Sequence, residues 1–368
     1  MIKKSKFKLL MLSVLLPILL VSSGINALEK IQQLENISDN VLNEGTLQKN
    51  KIGKKDGIIT INGEKVYYVP DSKIKISSDT KNTNVKFVKP EELSSDEIVC
   101  KIFREGSPRA TEVQQGTLGA CTFLAGLSGL AENNPDFIKD NLIEYNNDFV
   151  IVRFFNPENG LPFLYIMVQK TIPNLSGERA FLKNNCLWVH MYLKACVALE
   201  ILHKNGDSID YETAISETPS RMFFFVSMVT GKELKSENPR LQEEECLYKK
   251  IKKTLKSSGV VLCGFEDDTL SETSISKYFS NKVGRQGFVT SHTYSVTQVL
   301  KDKNGIKWIF CRNPWGWFVP TYDSAGNLYT YKDRNTDGYF WLKFKDFYKS
   351  CDQITYFTEE SKTDNKGF

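Results

Sequence analysis

The sequence predicts an α+β fold from three observations. An apolar, small-residue segment at 121–131 and a second, CLWVHMYLKACVALEILH at 186–203, carry helical spacing in the first half of the chain. From Val260 onward, short β-rich runs separated by turn residues replace them. A helical half followed by a sheet half predicts two lobes with a cleft between them.

The chain opens with Lys3, Lys4, Lys6 and Lys8, then the apolar run LLMLSVLLPILLV at 9–21, then small and polar residues to Ala27. The run is shorter than the ~20 residues that span a bilayer. With its basic flank it predicts a signal peptide over 1–27, cut after Ala27 or Gly24, leaving no stable membrane span. Those four lysines also account for the formal charge of +4, because 48 basic and 44 acidic side chains leave 44 of each sign beyond residue 27. A neutral body gives no electrostatic case for nucleic acid or for an anionic membrane surface. Residues 28–95 are polar, with one hairpin-like patch, GIITINGEKVYYVP, around Asn62-Gly63. This stretch is expected to be a pro-region or an accessory segment outside the core.

The core is predicted over 96–357, with a mainly helical lobe at 96–258, a β-rich lobe at 259–357 and a polar tail at 358–368. After the Cys121 helix, runs at 149–155 and 163–168 flank the turn NPENGLP and read as a hairpin. The buried helix at 186–203 follows, then a helix rich in acidic and basic residues at 242–255. Strands are expected at 260–263, 288–300, 306–312, 339–344 and 354–357. There is no internal repeat, phosphate loop or EF-hand loop. Eight irregularly spaced cysteines in a chain of this size do not form a disulfide framework. Three histidines, with no CxxC or HxxxH pair, argue against zinc.

Cys121 follows a Gly-Ala pair and opens an apolar helix. At a helix N-terminus the unpaired N–H groups and the dipole favour an anion, so the thiol is expected to be acidified toward a nucleophilic thiolate. His292 opens one β-rich run and Asn313 ends the next, across the turn DKNG, so adjacent antiparallel strands would bring the two side by side. Nucleophile, base and orienter in that order are the parts of a thiol hydrolase.

These stretches resemble the protease core of the calpain family. Gln115, Gly116, Leu118, Gly119 and Cys121 match its nucleophile motif. Ser291-His292-Thr293-Tyr294-Ser295-Val296 matches Gly-His-Ala-Tyr-Ser-Val, and Arg312-Asn313-Pro314-Trp315-Gly316 matches without change. Weaker echoes are LWVHMYLKA at 187–195, GVVLCG at 259–264 and DGYFWLKFKDF at 337–347. The resemblance implies a papain-like, two-lobed cysteine endopeptidase acting on proteins or peptides. Cys121 would be the nucleophile, His292 the general acid/base and Asn313 its orienter. Gln115 would be an oxyanion donor with the Cys121 backbone N–H, and Trp315 a cover over the His292 to Asn313 bond. His190 and His203 would be structural.

The sequence departs from the family pattern at Ala120, Thr122 and Ser291, where Asp, Trp and Gly are usual. Glu112 corresponds to a ligand of the family's first calcium site, but Cys186 stands where a second acid is expected and WFVPTY replaces an acidic segment. One carboxylate cannot supply the 6 to 8 oxygens calcium takes, so a calcium-independent enzyme without cofactor is expected. The whole reading is of an exported protein, secreted or at the cell envelope of a bacterium. An acyltransferase or deamidase on the same triad, and an inactive binding module, stay open as alternatives.

Overall fold

The computed structural model describes residues 57–61, 64–76, 85–92, 101–116, 118–156, 160, 162–175, 178–179, 182, 186–216, 219–265, 270–276, 279–284, 288–331 and 336–358. The expected signal peptide, Cys100 and most of the polar tail lie outside them. The elements that position the site are, in the first lobe, β1 (Gly57–Ile61), β2 (Glu64–Tyr68), α1 (Cys121–Asn133), α2 (Pro135–Asn141), β3 (Leu142–Glu144), β4 (Phe149–Phe155), β5 (Pro162–Gln169), α3 (Leu187–His203) and α4 (Pro219–Thr230). The second lobe is built from β6 (Glu233–Glu237), α5 (Glu244–Lys256), β7 (Val260–Phe265), β8 (Thr293–Lys301), β9 (Lys307–Arg312), β10 (Tyr339–Lys343), α6 (Phe344–Ser350) and β11 (Cys351–Thr358). Each lobe combines a largely antiparallel sheet with helices packed on it, in the expected α+β, papain-like, two-lobed core.

The helices of the first lobe pack on a sheet, and the chain that builds this lobe begins before residue 95. Its five-stranded sheet runs β1-β2-β5-β4-β3, with β2 parallel to β5 in the register Val66 to Tyr165 and Tyr68 to Met167. Two of those strands come from the segment expected outside the core. Residues 85–88 and 74–75 likewise pair with 172–175 and 209–210. A buried ion pair fastens the segment further. Lys194, in the middle of α3 and 1% exposed, is paired with Asp71, donates to the Thr171 carbonyl at 3.1 Å and lies 4.4 Å from the centre of the Phe87 ring. The polar composition of 28–95 concealed this because β1 and β2 contribute only one apolar face, with Val66 and Tyr68 buried alongside Ile151 and Met167.

The second sheet runs β6-β11-β7-β8-β9-β10 and is buried on both faces in its middle. Along β7, Val260 and Leu262 pack into the first lobe's core with α1 and Phe357, while Val261, Cys263 and Phe265 pack with α5 and α6 beneath. A central strand covered on both sides reads as a continuous apolar run, which is why VVLC carries no alternation. Helix α1 approaches this sheet at Gly129, where a Cβ would lie 3.1 Å from Val260 Cγ1 and 3.6 Å from Ser295 Cβ. On its other side Gly126 leaves room for α4, because a Cβ there would meet Val226 Cγ2 at 2.5 Å. The small residues of α1 therefore let one helix touch both lobes.

Candidate active site

Cys121 is the first residue of α1, preceded by Ala120, which supplies no side-chain cap. The free N–H groups of the first turn are left to favour negative charge at the sulfur. The thiol is half-buried and, among the described residues, forms no disulfide. Burial pushes its pKa up, but the His292 side chain, then the backbone and hydroxyl of Thr293, hydrogen-bond to the sulfur and outweigh it, pulling the pKa down from 9.0 to about 7. Cys246 is exposed on α5, and Cys263, Cys311 and Cys351 are buried in the second core.

His292 comes from the other lobe, immediately before β8. The β8–β9 hairpin, in the register Ser295 to Arg312, brings the ends of the two strands together. His292 Nε2 lies 2.9 Å from Asn313 Oδ1, and both side chains are buried. With Nε2 on Asn313, Nδ1 is the ring nitrogen left for the thiol. The Asn313 amide is itself fixed: Oδ1 also accepts from the Trp315 backbone N–H at 2.9 Å, and Nδ2 donates to the Phe318 carbonyl at 2.9 Å. The Trp315 ring, 2% exposed, lies 4.5 Å from the imidazole, and Tyr294 meets the imidazole edge-on at 5.0 Å. The pair is thereby shielded from water, which strengthens its hydrogen bond. Ser291, just before His292, has φ +51°, in the left-handed region where glycine is at ease. The expected strand at 288–300 accordingly begins only at Thr293.

Three further residues tie this arrangement down. Arg312 is fully buried and spreads its fork across both lobes, donating to the Val113 carbonyl at 2.8 Å, Ser128 Oγ on α1 at 3.0 Å and the Asp337 carbonyl at 3.0 Å. Burial lowers its pKa to about 10, still charged at neutral pH. Gln115 is buried, accepts no bond at Oε1 from the described residues, and donates from Nε2 to the Leu118 carbonyl at 2.7 Å. One Nε2 hydrogen thus holds its own loop and the other remains. Glu112 is engaged by protein groups, its Oε2 accepting from Trp188 Nε1 at 2.7 Å and from the Arg109 backbone N–H at 3.1 Å. His190 is buried within α3 and His203 lies in its last turn, both outside this cluster.

The structure therefore brings Cys121, His292 and Asn313 together from three separate stretches, with Gln115 on the loop leading to α1. The role of Arg312 escapes sequence reasoning, since it stands beside Asn313 in a motif whose aromatic and amide members draw the attention. Its signal is a basic residue directly after the apolar run Trp308–Cys311, where an uncompensated charge would be costly.

The sequence matches the family described as calpain family cysteine protease over residues 65–357. It is 26% identical over 295 residues to the calpain-2 catalytic subunit of Gallus gallus, covering 74% of this chain and 39% of that protein. Against calpain-A of Drosophila melanogaster it is 22% identical over 368 residues, covering 90% of this chain and 38% of the relative. Against the calpain-type cysteine protease DEK1 of Zea mays it is 26% identical over 283 residues, covering 71% of this chain and 12% of that protein. The chain thus spans about two-fifths or less of the length of these relatives. A family match running from β2 to β11 takes in every strand and helix that carries the site, and the chain belongs to the calpain family of cysteine proteases.

Proposed function

We propose that the protein is an exported cysteine endopeptidase that hydrolyses peptide bonds through Cys121, His292 and Asn313. The observation that carries the reading is the alignment of an acidified thiol at a helix N-terminus with an imidazole whose far nitrogen is held 2.9 Å from Asn313 Oδ1. In this mechanism the Cys121 thiolate attacks the peptide carbonyl, forming the C–S bond while the carbonyl oxygen takes up negative charge. The Cys121 backbone N–H and the second Nε2 hydrogen of Gln115 stabilise that oxyanion. The His292 imidazolium then gives its Nδ1 proton to the leaving amine, the C–N bond breaks and a thioester remains. His292, neutral at that point, deprotonates a water that releases the acid and restores the thiol pair. Asn313 keeps the ring in the plane that serves both steps, and Trp315 keeps bulk water off the bond that orients it.

Calcium has no role in this reading. The Glu112 carboxylate holds the Trp188 indole and the Arg109 backbone, and Cys186, buried at 1% exposure, stands where a second acid is expected. That donor set does not suit a hard cation that takes 6 to 8 oxygens. Export rests on the basic and apolar pattern of residues 1–27.

The test is digestion of unfolded casein by the purified protein under reducing conditions, with and without a calcium chelator, beside Cys121→Ala. New peptide N-termini in both wild-type lanes and none with Cys121→Ala are expected. Deamidated or amine-linked products without new N-termini would replace the peptidase reading with acyl transfer, and loss of cleavage on chelation would overturn calcium independence.

A further inference from the structure

Both residues that follow the catalytic cysteine and histidine in sequence are threonines, at positions where the family motif carries Trp and Ala. Thr122 lies in the first turn of α1 and Thr293 is the first residue of β8, so they belong to different lobes. Their Oγ1 atoms are 2.9 Å apart. Thr122 is buried, 5% exposed, and its hydroxyl would lose free energy there without a partner. Each of these departures from the motif therefore supplies what the other needs.

A threonine hydroxyl has one hydrogen to donate and two lone pairs to accept with. If Thr122 donates to Thr293, the Thr293 hydroxyl hydrogen is free to point at Cys121 Sγ, the atom toward which the Thr293 backbone N–H also converges. Further down, α1 is secured to the second sheet by the close approach of Gly129 to Val260 and by the Arg312 bond to Ser128. Those contacts hold the helix as a body. The Thr122–Thr293 bond acts at its catalytic end, where a small change in position changes the distance from sulfur to imidazole.

We propose that Thr122 and Thr293 are a positioning pair, a hydrogen-bonded clasp between the lobes that sets Cys121 against His292 and lets the Thr293 hydroxyl donate to the thiolate. The proposal rests on the reading of Cys121 and His292 as nucleophile and acid/base. It also explains how a chain without the family's Trp keeps an organised cysteine, since the small polar side chain that replaces it is used to join the lobes. Among the described residues, the titratable groups facing Cys121 are His292 and, behind it, the buried Tyr294 phenol, which accepts from the Val289 backbone N–H at 3.0 Å.

The test is the pH dependence of Cys121 alkylation by iodoacetamide, read by peptide mass mapping on the full-length protein and needing no substrate. Wild type should show a midpoint near 7. Thr293→Val, which keeps the shape and removes the hydroxyl, should move the midpoint up by about one pH unit, a tenfold loss of thiolate below it. It should also lower the melting temperature, because the buried Thr122 hydroxyl loses its partner, with secondary structure retained by circular dichroism. Thr293→Ser should restore the wild-type midpoint. Thr122→Val should shift it in the same direction by less, and the double valine variant should match Thr293→Val, because the two act through one bond. A wild-type midpoint in Thr293→Val, or a serine variant that behaves like the valine one, overturns the clasp. Valine-dependent shifts in a protein that cuts no peptide bond would uphold the clasp and sink the peptidase reading instead.

Discussion

Asn313 is held at three points, by the imidazole, the Trp315 backbone and the Phe318 carbonyl, so it orients His292 without freedom of its own. Asn313→Ala should lower kcat by about 10²-fold with a small effect on KM, since it misplaces a reacting group rather than removing a substrate contact. An unchanged kcat would remove Asn313 from the mechanism. Ser291 makes a different prediction. Because its φ is +51°, Ser291→Gly should leave stability unchanged or raise it by up to about 1 kcal/mol in thermal unfolding, whereas the β-branched Ser291→Val should lower it. Equal stability of the two variants would contradict a left-handed backbone here. The approach of Cys121, His292 and Asn313 to one another was legible in the sequence from their residue types, their order along the chain and the turn between two β-rich runs. Arg312 was not, since its worth comes from three acceptors on distant segments, Val113, Ser128 and Asp337, that no local pattern connects.

At the scale of elements, α1 and the β8–β9 hairpin do most of the positioning. The small residues of α1 made it readable as a buried helix, and the turn between β8 and β9 made the approach of His292 to Asn313 readable as well. Helix α4 was not, because its FFFV run has the β-propensity of a strand. It is helical because it is buried against α1, with Phe225 meeting Phe123 edge-on at 6.3 Å and Val226 over Gly126. Tertiary burial there overrides local preference. Arg312 joins both elements to the loop before Gln115. Arg312→Lys cannot reproduce the planar fork and leaves acceptors buried without a donor, at ~1–3 kcal/mol for each acceptor left bare. A melting temperature within a degree of wild type would show that the fork is dispensable.

For the whole molecule, the consequence concerns residues 57–92. Their polar composition suggested a removable segment, yet they supply two strands of the first sheet and the partner of a buried lysine. Removing them would expose the edge of β5 and leave Lys194 buried without Asp71, a broken buried pair costing about 3–5 kcal/mol. A chain starting at residue 98 should therefore be insoluble or unfolded by circular dichroism, while one starting at residue 57 should fold. A soluble, active protein starting at 98 would restore the pro-region reading for the entire stretch. Composition misled here because a one-sided edge strand needs few apolar residues, and because Lys194 and Asp71 lie 123 positions apart and reveal each other only in the fold.

The central claim is that Cys121 is the nucleophile of a triad assembled across two lobes. Its most direct test is labelling with a peptidyl epoxide under reducing conditions, read by intact mass together with residual cleavage of casein. The account predicts a single adduct, mapped to Cys121, that abolishes cleavage in proportion to its occupancy and is slowed in Asn313→Ala. Labelling that falls instead on the exposed Cys246, or cleavage that survives full occupancy of Cys121, would contradict it.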